Sequence, residues 1–589
     1  MLLSQPKKFT ATTASVPAPI GGWNARDSLA NMQPTDAVQL INFFPTPTAV
    51  TLRKGYTRVS TGITGKVYSL MNYAKINGDT KLFAVAEDTI YDASDDPAVE
   101  VFTGLTSSEL QFVNFSNAGG DYLIACNGQD PTMVYDGTRW FFMATTTTAQ
   151  TISSITHSGA TATLTTASPH GLIDGNRVTI SGASPSEYNG TYVINVTGAS
   201  TFQYTMASTP ASNATVVGSY TTVGITGADS SSFINVNLFK NRLWFTQKDT
   251  MKIWYLDVTN LGGAATSIDF GGIARNGGYL QAMGTWTLDA GQGADDYAVF
   301  VSSMGEVMVY NGTDPSSPTT WALKGVWQLG QVFARKCFFK WSGDLLLLTQ
   351  DGLVPLSSAL QSSRLDPRIN LTDKIYYAVS QAATDYYANF GWQINYFASE
   401  NMLILNIPIT NGVEQYVMHT ITKSWARFTG IEAYCWEVSG SNNMYFGGDG
   451  YVGLFYQGNA DNGTNIQAAC QQAYSYFDSP GQLKRFTMVR PILQTNNGVP
   501  TIAVNISTDF EPETQFGTLT FNPASTVGGT WNVSEWDDAL WSAGDIVTKT
   551  WMGVTGLGFS ASINLSIASQ GIDFKWTSTD YVMEKGGVL

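Results

Sequence analysis

The chain of 589 residues carries 46 Asp and Glu against 31 Lys and Arg, a net charge of −15, and only 13% of it is charged, where roughly 25% is usual. Neutral polar side chains, glycine and aromatics fill the gap, which favours a permanently assembled structural or adhesive protein over a cytosolic enzyme. The densest basic spot is the pair Lys484-Arg485, too little to displace counterions from a phosphate backbone, so tight nucleic-acid binding is excluded and DNA could only be guided by repulsion.

Four cysteines, Cys126, Cys337, Cys435 and Cys470, form no CxxC pair, which excludes a zinc ribbon and a disulfide framework. The opening MLLSQPKKF lacks the apolar core of a secretory signal, and no run approaches the ~18 apolar residues of a membrane helix. The expectation is assembly in a cytoplasm, without membrane insertion.

In chain order, residues 1–60 read as an N-terminal arm and extended segment. Within it, Gln33-Pro-Thr-Asp before AVQLINFF predicts one short capped helical turn leading into extended chain. Residues 61–149 begin a rhythm of short apolar runs bounded by Gly, Asn or Asp, the second run of each unit closing on an aromatic. It is seen in GDTKLFAVAEDTIYDAS from Gly78 and in GDYLIACNGQDPTMVYDG from Gly120. It returns from Lys240 (KNRLWFTQKDTMKIWYLD) and Asp295 (DDYAVFVSSMGEVMVYNG), and in weaker form from Ser342, Ser399 and Ser441. A step of about 40 to 60 residues is one four-stranded propeller blade, so residues 61–149 and 222–460 are assigned to a β-propeller of six to eight blades. A set of separate β-sandwiches is the alternative. With three histidines in the chain a WD-repeat signature is excluded, and SIDFGG at Ser267 is only a partial Asp box.

Residues 150–221 interrupt the rhythm and are flanked by ATTTTAQT and GSYTTVG. They are read as a small β-barrel or sandwich inserted in a blade loop, since loop tips tolerate whole domains. The strands expected are TATLTT, NRVTISG, TYVINVT and TFQYTM, with Gly171 and Asn189-Gly190 in tight turns and Tyr188 covering one end. Residues 461–589, with FTMVRPILQ, PTIAVNISTDF and ASINLSIASQ, read as a C-terminal β-sandwich in which Trp531, Trp536, Trp541 and Trp551 crowd between strands.

Nucleophile elbows, Walker loops, HExxH and a GxGxxG after a strand are absent from the sequence. A catalytic triad would have to use His157, His170 or His419. His170 is expected to donate a ring hydrogen bond to backbone in its turn, and His419 to sit in the strand QYVMHTI. Paired carboxylates for glycoside hydrolysis could come from Glu87 and Asp88, Asp295 and Asp296, or Asp537 and Asp538, although adjacent acids in turns are usually solvated. Asp449 and Asp461 could bind calcium, but without EF-hand spacing. The expectation is therefore no enzyme, no catalytic, cofactor-binding or metal residue and no cofactor.

Three stretches resemble known proteins. HGLIDGNRVTISGASPSEYNGTYVI resembles a small β module common in bacteriophage structural proteins, often likened to a half-domain beside the catalytic cysteine of ubiquitin-activating enzymes. This segment has no cysteine, so only fold is implied. Residues 21 to 56, GGWNARDSLANMQPTDAVQLINFFPTPTAVTLRKGY, resemble the N-terminal motif of tail proteins of short-tailed phages. That motif starts Gly-Gly-Leu/Trp-Asn-x-Arg-Asp, passes an aromatic-Pro pair and closes on Arg-x-Gly-Tyr. The C-terminal WNVSEWDDALW and FKWTSTDYVMEKGGVL are similar to the Trp-Asp repeat and terminal motif of the same family.

The resemblance implies a tail nozzle, also described as a packaged-DNA stabilisation or head-tail completion protein. Six propeller subunits would form a ring below the portal and its adaptor, extend the DNA channel, help retain and eject the genome, and carry fibres, spikes or a needle. The expected partners are copies of the chain in a hexamer, portal-adaptor proteins, those tail parts, and genomic double-stranded DNA in transient non-specific contact. The expected location is the virion tail. The residues lining the channel and the subunit interface are not legible. A host-glycan-binding adhesion protein and a propeller glycosidase are the rival readings.

Overall fold

In the computed structural model, residues 11–145, 148–289, 294–359, 367–440, 442–496, 501–511 and 546–588 are described. MLLSQPKKF, the WNVSEWDDALW run and the pair Asp537–Asp538 lie outside them. The chain is all-β and divides into two units, one of residues 1–59, 366–448 and 452–589, the other of residues 60–365 and 449–451.

The second unit holds five successive antiparallel meanders. Blade 1 uses strands Tyr56–Ala74, Thr80–Ala86, Thr89–Asp92 and Val99–Thr103. Blade 2 uses Gln111–Asn117, Gly120–Cys126, Met133–Tyr135 and Trp140–Phe142. Blade 3 is Phe233–Phe239, Arg242–Gln247, Lys252–Tyr255 and Thr266–Asp269. Blade 4 is Leu280–Asp289, Ala294–Ser302, Glu306–Gly312 and Trp321–Gln328. Blade 5 has three strands, Phe338–Trp341, Asp344–Thr349 and Gly352–Pro355.

Each blade packs face to face on the next, which is why the sequence runs are apolar without interruption. On strand Gly120–Cys126, Leu123 and Ala125 enter the core shared with blade 1, while Ile124 and Cys126 enter the core shared with blade 3. Strand period 2 thus serves two buried faces at once. The same split recurs on Arg242–Gln247, where Leu243 and Phe245 face blade 2 and Trp244 faces blade 4. A Cβ on Gly284 of blade 4 would come within 2.9 Å of Phe338 and 3.0 Å of Leu345 in blade 5, so glycine permits that close approach. The first strands of blades 2 to 5 adjoin one another, the arrangement of a propeller.

Residues 150–221 form a barrel within this unit. Its seven strands run in the order Gly190–Val193, Arg177–Ser184, Val216–Thr222, Gln150–Ser158, Thr161–Thr166, Thr201–Thr205 and Asn195–Gly198. The first and last of these are consecutive in the chain, joined by Ile194, so the chain itself links the two ends of the sheet. Its core includes Leu164, Val178, Phe202 and Tyr188, all fully buried. Asn189 bonds with its side chain to Ala183 N and O, after a 3-10 turn Ser186–Tyr188 in place of the expected two-residue hairpin turn.

The first unit contains two further meanders, Gln393–Phe397, Met402–Ile409, Gly412–His419 and Ser424–Phe428, then Cys435–Val438, Met444–Gly447 and Asp449–Phe455. All seven sequence copies therefore form meanders, two of them in this unit. Residues 366–448, expected in the propeller segment 222–460, group here because pairing runs past the boundary at 460. Strand Asp36–Ile41 meets Ser424–Phe428 on one side and Ile466–Gln472 on the other. Ala561–Ser569 and Thr501–Thr508 extend that sheet.

The second sheet of this sandwich is built on the long pair Gln482–Asn496 and Asp573–Val588. The N-terminal segment, expected as an arm, adds Ala11–Pro17 and Val50–Leu52 along the outer side of Asp573–Val588. At Gln33–Asp36 the structure has a single hydrogen-bonded turn, Asp36 N to Gln33 O at 2.9 Å, and then a strand, not a helical turn. One helix longer than two turns, Tyr376–Tyr386, is present among the described residues and was not anticipated.

Candidate functional site

The two N-terminal motifs become polar joints. In Arg53-Lys-Gly-Tyr, the Arg53 side chain is 1% exposed and its guanidinium makes five hydrogen bonds. It reaches both carboxylate oxygens of Asp461 at 2.6 and 2.7 Å, Asn42 Oδ1 at 2.9 Å, Thr429 O at 3.0 Å and Lys54 O at 3.1 Å. Every N–H of the guanidinium thus has a partner, the condition under which a charge can be buried. Breaking such a pair leaves one charge stranded, at a cost of about 3–5 kcal/mol. Gly55 is required because its Cβ would stand 1.8 Å from Ala460 O. Asp461, a calcium candidate in the sequence, is engaged by Arg53.

In Gly21-Gly-Trp-Asn-Ala-Arg-Asp, Asn24 is buried and donates to Asp27 and Asp36, both at 2.9 Å, while its Oδ1 accepts from Arg26 N and Asp27 N. Arg26 pairs with Asp27 and Asp373, and Lys374 Nζ reaches Asp36 Oδ1 at 2.7 Å and Gly21 O at 2.9 Å. The hydrogen bond from Arg26, then that from Asn24, holds the Asp27 carboxyl below its ordinary range. Gly22 sits at φ +81, its missing Cβ leaving room for the Trp425 backbone.

The barrel is clasped to its own unit by Gly175-Asn176-Arg177. Phe142 N donates to Gly175 O at 2.9 Å, and Asn176 Nδ2 donates to Phe142 O at 3.2 Å. The Arg177 guanidinium lies over the Phe141 ring at 5.0 Å and pairs with Asp136. A Cβ on Gly175 would meet Phe142 and Phe102 at 3.1 and 3.2 Å. Nothing in spacing marked DGNR as a clasp.

The histidines do not converge. His170 is 9% exposed; its Nδ1 accepts from Leu172 N at 3.0 Å, which leaves Nε2 to donate to Gly198 O at 3.1 Å. His157 Nδ1 lies 3.2 Å from Gly159 O. His419 is buried beside Phe44, with Nδ1 accepting from Thr422, and burial lowers its pKa.

Glu87 and Asp88 are exposed in the turn between two strands of blade 1. Asp296 binds Lys240 Nζ at 2.6 Å and Thr287 Oγ1 at 2.9 Å, and the Lys240 contact holds its pKa down, the opposite of what a general acid needs. Asp449 is exposed. Among the described residues no three His, Cys, Asp or Glu side chains group as a metal site, and no helix is long and apolar enough to cross a membrane. The four cysteines are buried and none is in a disulfide.

Lys484 and Arg485 point to opposite faces of their strand. Lys484 is fully buried, with Nζ donating to Ser479 O, Gln482 O and Phe559 O at 2.6 to 2.9 Å, and burial lowers its pKa. Arg485 is 68% exposed and lies 3.8 Å from Glu584.

No protein-family profile matches the chain, and no curated protein matches it. Among solved structures, a Bacteroides fragilis protein provisionally assigned as a 6-phosphogluconolactonase is 9% identical, with 68% of this chain and 90% of that one covered and a TM-score of 0.30. The Cps50 (Swd1) β-propeller domain of Myceliophteria thermophila is 10% identical, with 68% and 99% covered and a TM-score of 0.26. YCF48 from Cyanidioschyzon merolae is 10% identical, with 70% and 97% covered and a TM-score of 0.23.

Proposed function

We propose that this chain is a non-enzymatic structural protein of a short-tailed phage virion, a tail nozzle of the packaged-DNA stabilisation type. The observation that carries the reading is the fate of the two motifs on which the resemblance rests. Gly-Gly-Trp-Asn-x-Arg-Asp and Arg-x-Gly-Tyr are used residue by residue: Asn24 ties the N-terminal segment to itself through Asp27 and Asp36, while Arg26, Arg53 and Gly55 fasten it to distant parts of the chain. Motifs used in this way are fold-defining, as expected of a family that shares an architecture and no chemistry.

Copies of the chain form a ring, a hexamer, which docks to a portal-adaptor and carries fibres, spikes or a needle. The net charge of −15 lets double-stranded DNA slide through the ring without sticking. Few charges and many aromatics suit large permanent interfaces. Asp296, held ionised by Lys240, does not favour the glycosidase reading. Electron microscopy of the purified chain tests the proposal: a six-fold ring with an axial pore is expected, and a monomer at all concentrations, with no ring in intact particles, would overturn it.

A further inference from the structure

Lys54, inside the Arg-x-Gly-Tyr motif, is the second cation of its joint and has a different environment from Arg53. Its Nζ donates to Asn459 Oδ1 at 2.7 Å and also contacts Asp573 Oδ1. The three residues are held by backbone bonds around them. Gly55 N donates to Gly458 O and Gln457 N to Gly55 O, both at 3.0 Å, and Gly571 N donates to Asn459 O at 3.0 Å. An amine, a carboxamide and a carboxylate thus meet on a rigid frame. The Lys54 side chain is 28% exposed and that of Asp573 is 47% exposed.

We propose that Lys54 and Asn459 join in an intramolecular isopeptide bond, with Asp573 carrying the proton. Asp573 takes a proton from the Lys54 ammonium, and the freed lone pair on Nζ forms a bond to Asn459 Cγ. The bond from Cγ to Nδ2 breaks. The leaving nitrogen departs as ammonium, having gained the two protons that Nζ loses in all, and Asp573 ends ionised as it began. No oxidant or further reactant is needed. The frame supplies proximity in place of a bimolecular encounter. The reaction need occur only once per chain.

The bond would close a loop between residues 405 apart in sequence, removing conformational freedom from the unfolded chain as a disulfide does. The four cysteines, all buried and none in a disulfide, supply no such staple. This inference does not rest on the tail reading, because it requires only the folded chain.

The test is intact-mass spectrometry of the full-length protein, with tandem spectra of its peptides. A species lighter than the sequence mass by one ammonia is expected, increasing on incubation, with one peptide pair joined through Lys54 and Asn459. Lys54→Arg keeps a cation beside Asp573 and should abolish the loss; Asp573→Asn should slow it. Circular dichroism of both variants establishes that they fold. An unchanged mass after long incubation at mildly alkaline pH would overturn the proposal. So would an ammonia loss that persists in Lys54→Arg, since that marks a succinimide at Asn459.

Discussion

The blades and the inserted barrel are both made of short antiparallel strands, yet their sequences read differently. Strand Thr161–Thr166 of the barrel alternates half-buried and buried residues throughout, whereas Asp344–Thr349 of blade 5 buries five in succession. A barrel strand has one inner face and one wet face; a blade strand has neighbours on both. Periodicity therefore reports how many faces are covered. Charge follows the same division. Residues 150 to 221, 72 in all, carry as charges only Asp174, Arg177 and Glu187, so the wet face is built of hydroxyls and amides.

The contrast breaks most sharply at the cores. Trp140, 2% exposed, is shared by blades 1 and 2 and packs on Phe83 and Tyr135. Trp140→Ala should cost about 3–5 kcal/mol. Hydrogen exchange should then show lost protection in both blades. Phe202, fully buried in the barrel, should give a loss of similar size in Phe202→Ala, confined to residues 150–222. Equal deprotection of the blades in that variant would show that the barrel is not a separate cooperative unit.

A smaller effect is expected at the clasp. Arg177→Ala removes the contacts to Phe141 and Asp136 and should weaken docking by about 1–3 kcal/mol without unfolding either part. Limited proteolysis checks this: cleavage near the junction should quicken while both cores stay intact.

Acid should separate the regions more gently still. Asp296 in blade 4 is held below its ordinary pKa by Lys240, and Asp92 in blade 1 by Lys81 and Ser94 against the opposing effect of burial. A depressed carboxyl stabilises the fold above its unfolded pKa of 3.8 and loses that contribution as pH falls through the lower folded value. Blade stability should thus decline below about pH 4. The barrel, with two carboxylates, should lag behind. Barrel and blade signals in an acid titration followed by NMR would coincide if this is wrong.

Much of the blade rhythm was legible because each blade is local: a strand, a tight turn, the next strand, an aromatic. The barrel was legible as an interruption with its own alternation. Long-range pairing was not. Strand Asp36–Ile41 bonds to chain more than 380 residues away, through Ile41 and Arg427 and through Leu40 and Cys470. No local pattern announces such partners. Arg53 and Asp461 could be seen as a motif residue and a calcium candidate; that each is the other's counter-ion follows only from the fold. The helix Tyr376–Tyr386 was hidden by its aromatic content, which reads as strand.

The points where the barrel leaves and rejoins the propeller lie side by side. Ala144 N donates to Val223 O and Ile225 N to Ala144 O, each at 2.9 Å. Gly224 fits because any Cβ there would stand 1.8 Å from Ala144 O. To the blades the whole excursion is therefore equivalent to a tight turn. Its length adds little closure entropy, since that cost grows only with the logarithm of loop size. The junction asks only for adjacent ends, so another small domain, or a short hairpin, could span it, at the loss of the contacts that Gly175, Asn176 and Arg177 make to blade 2.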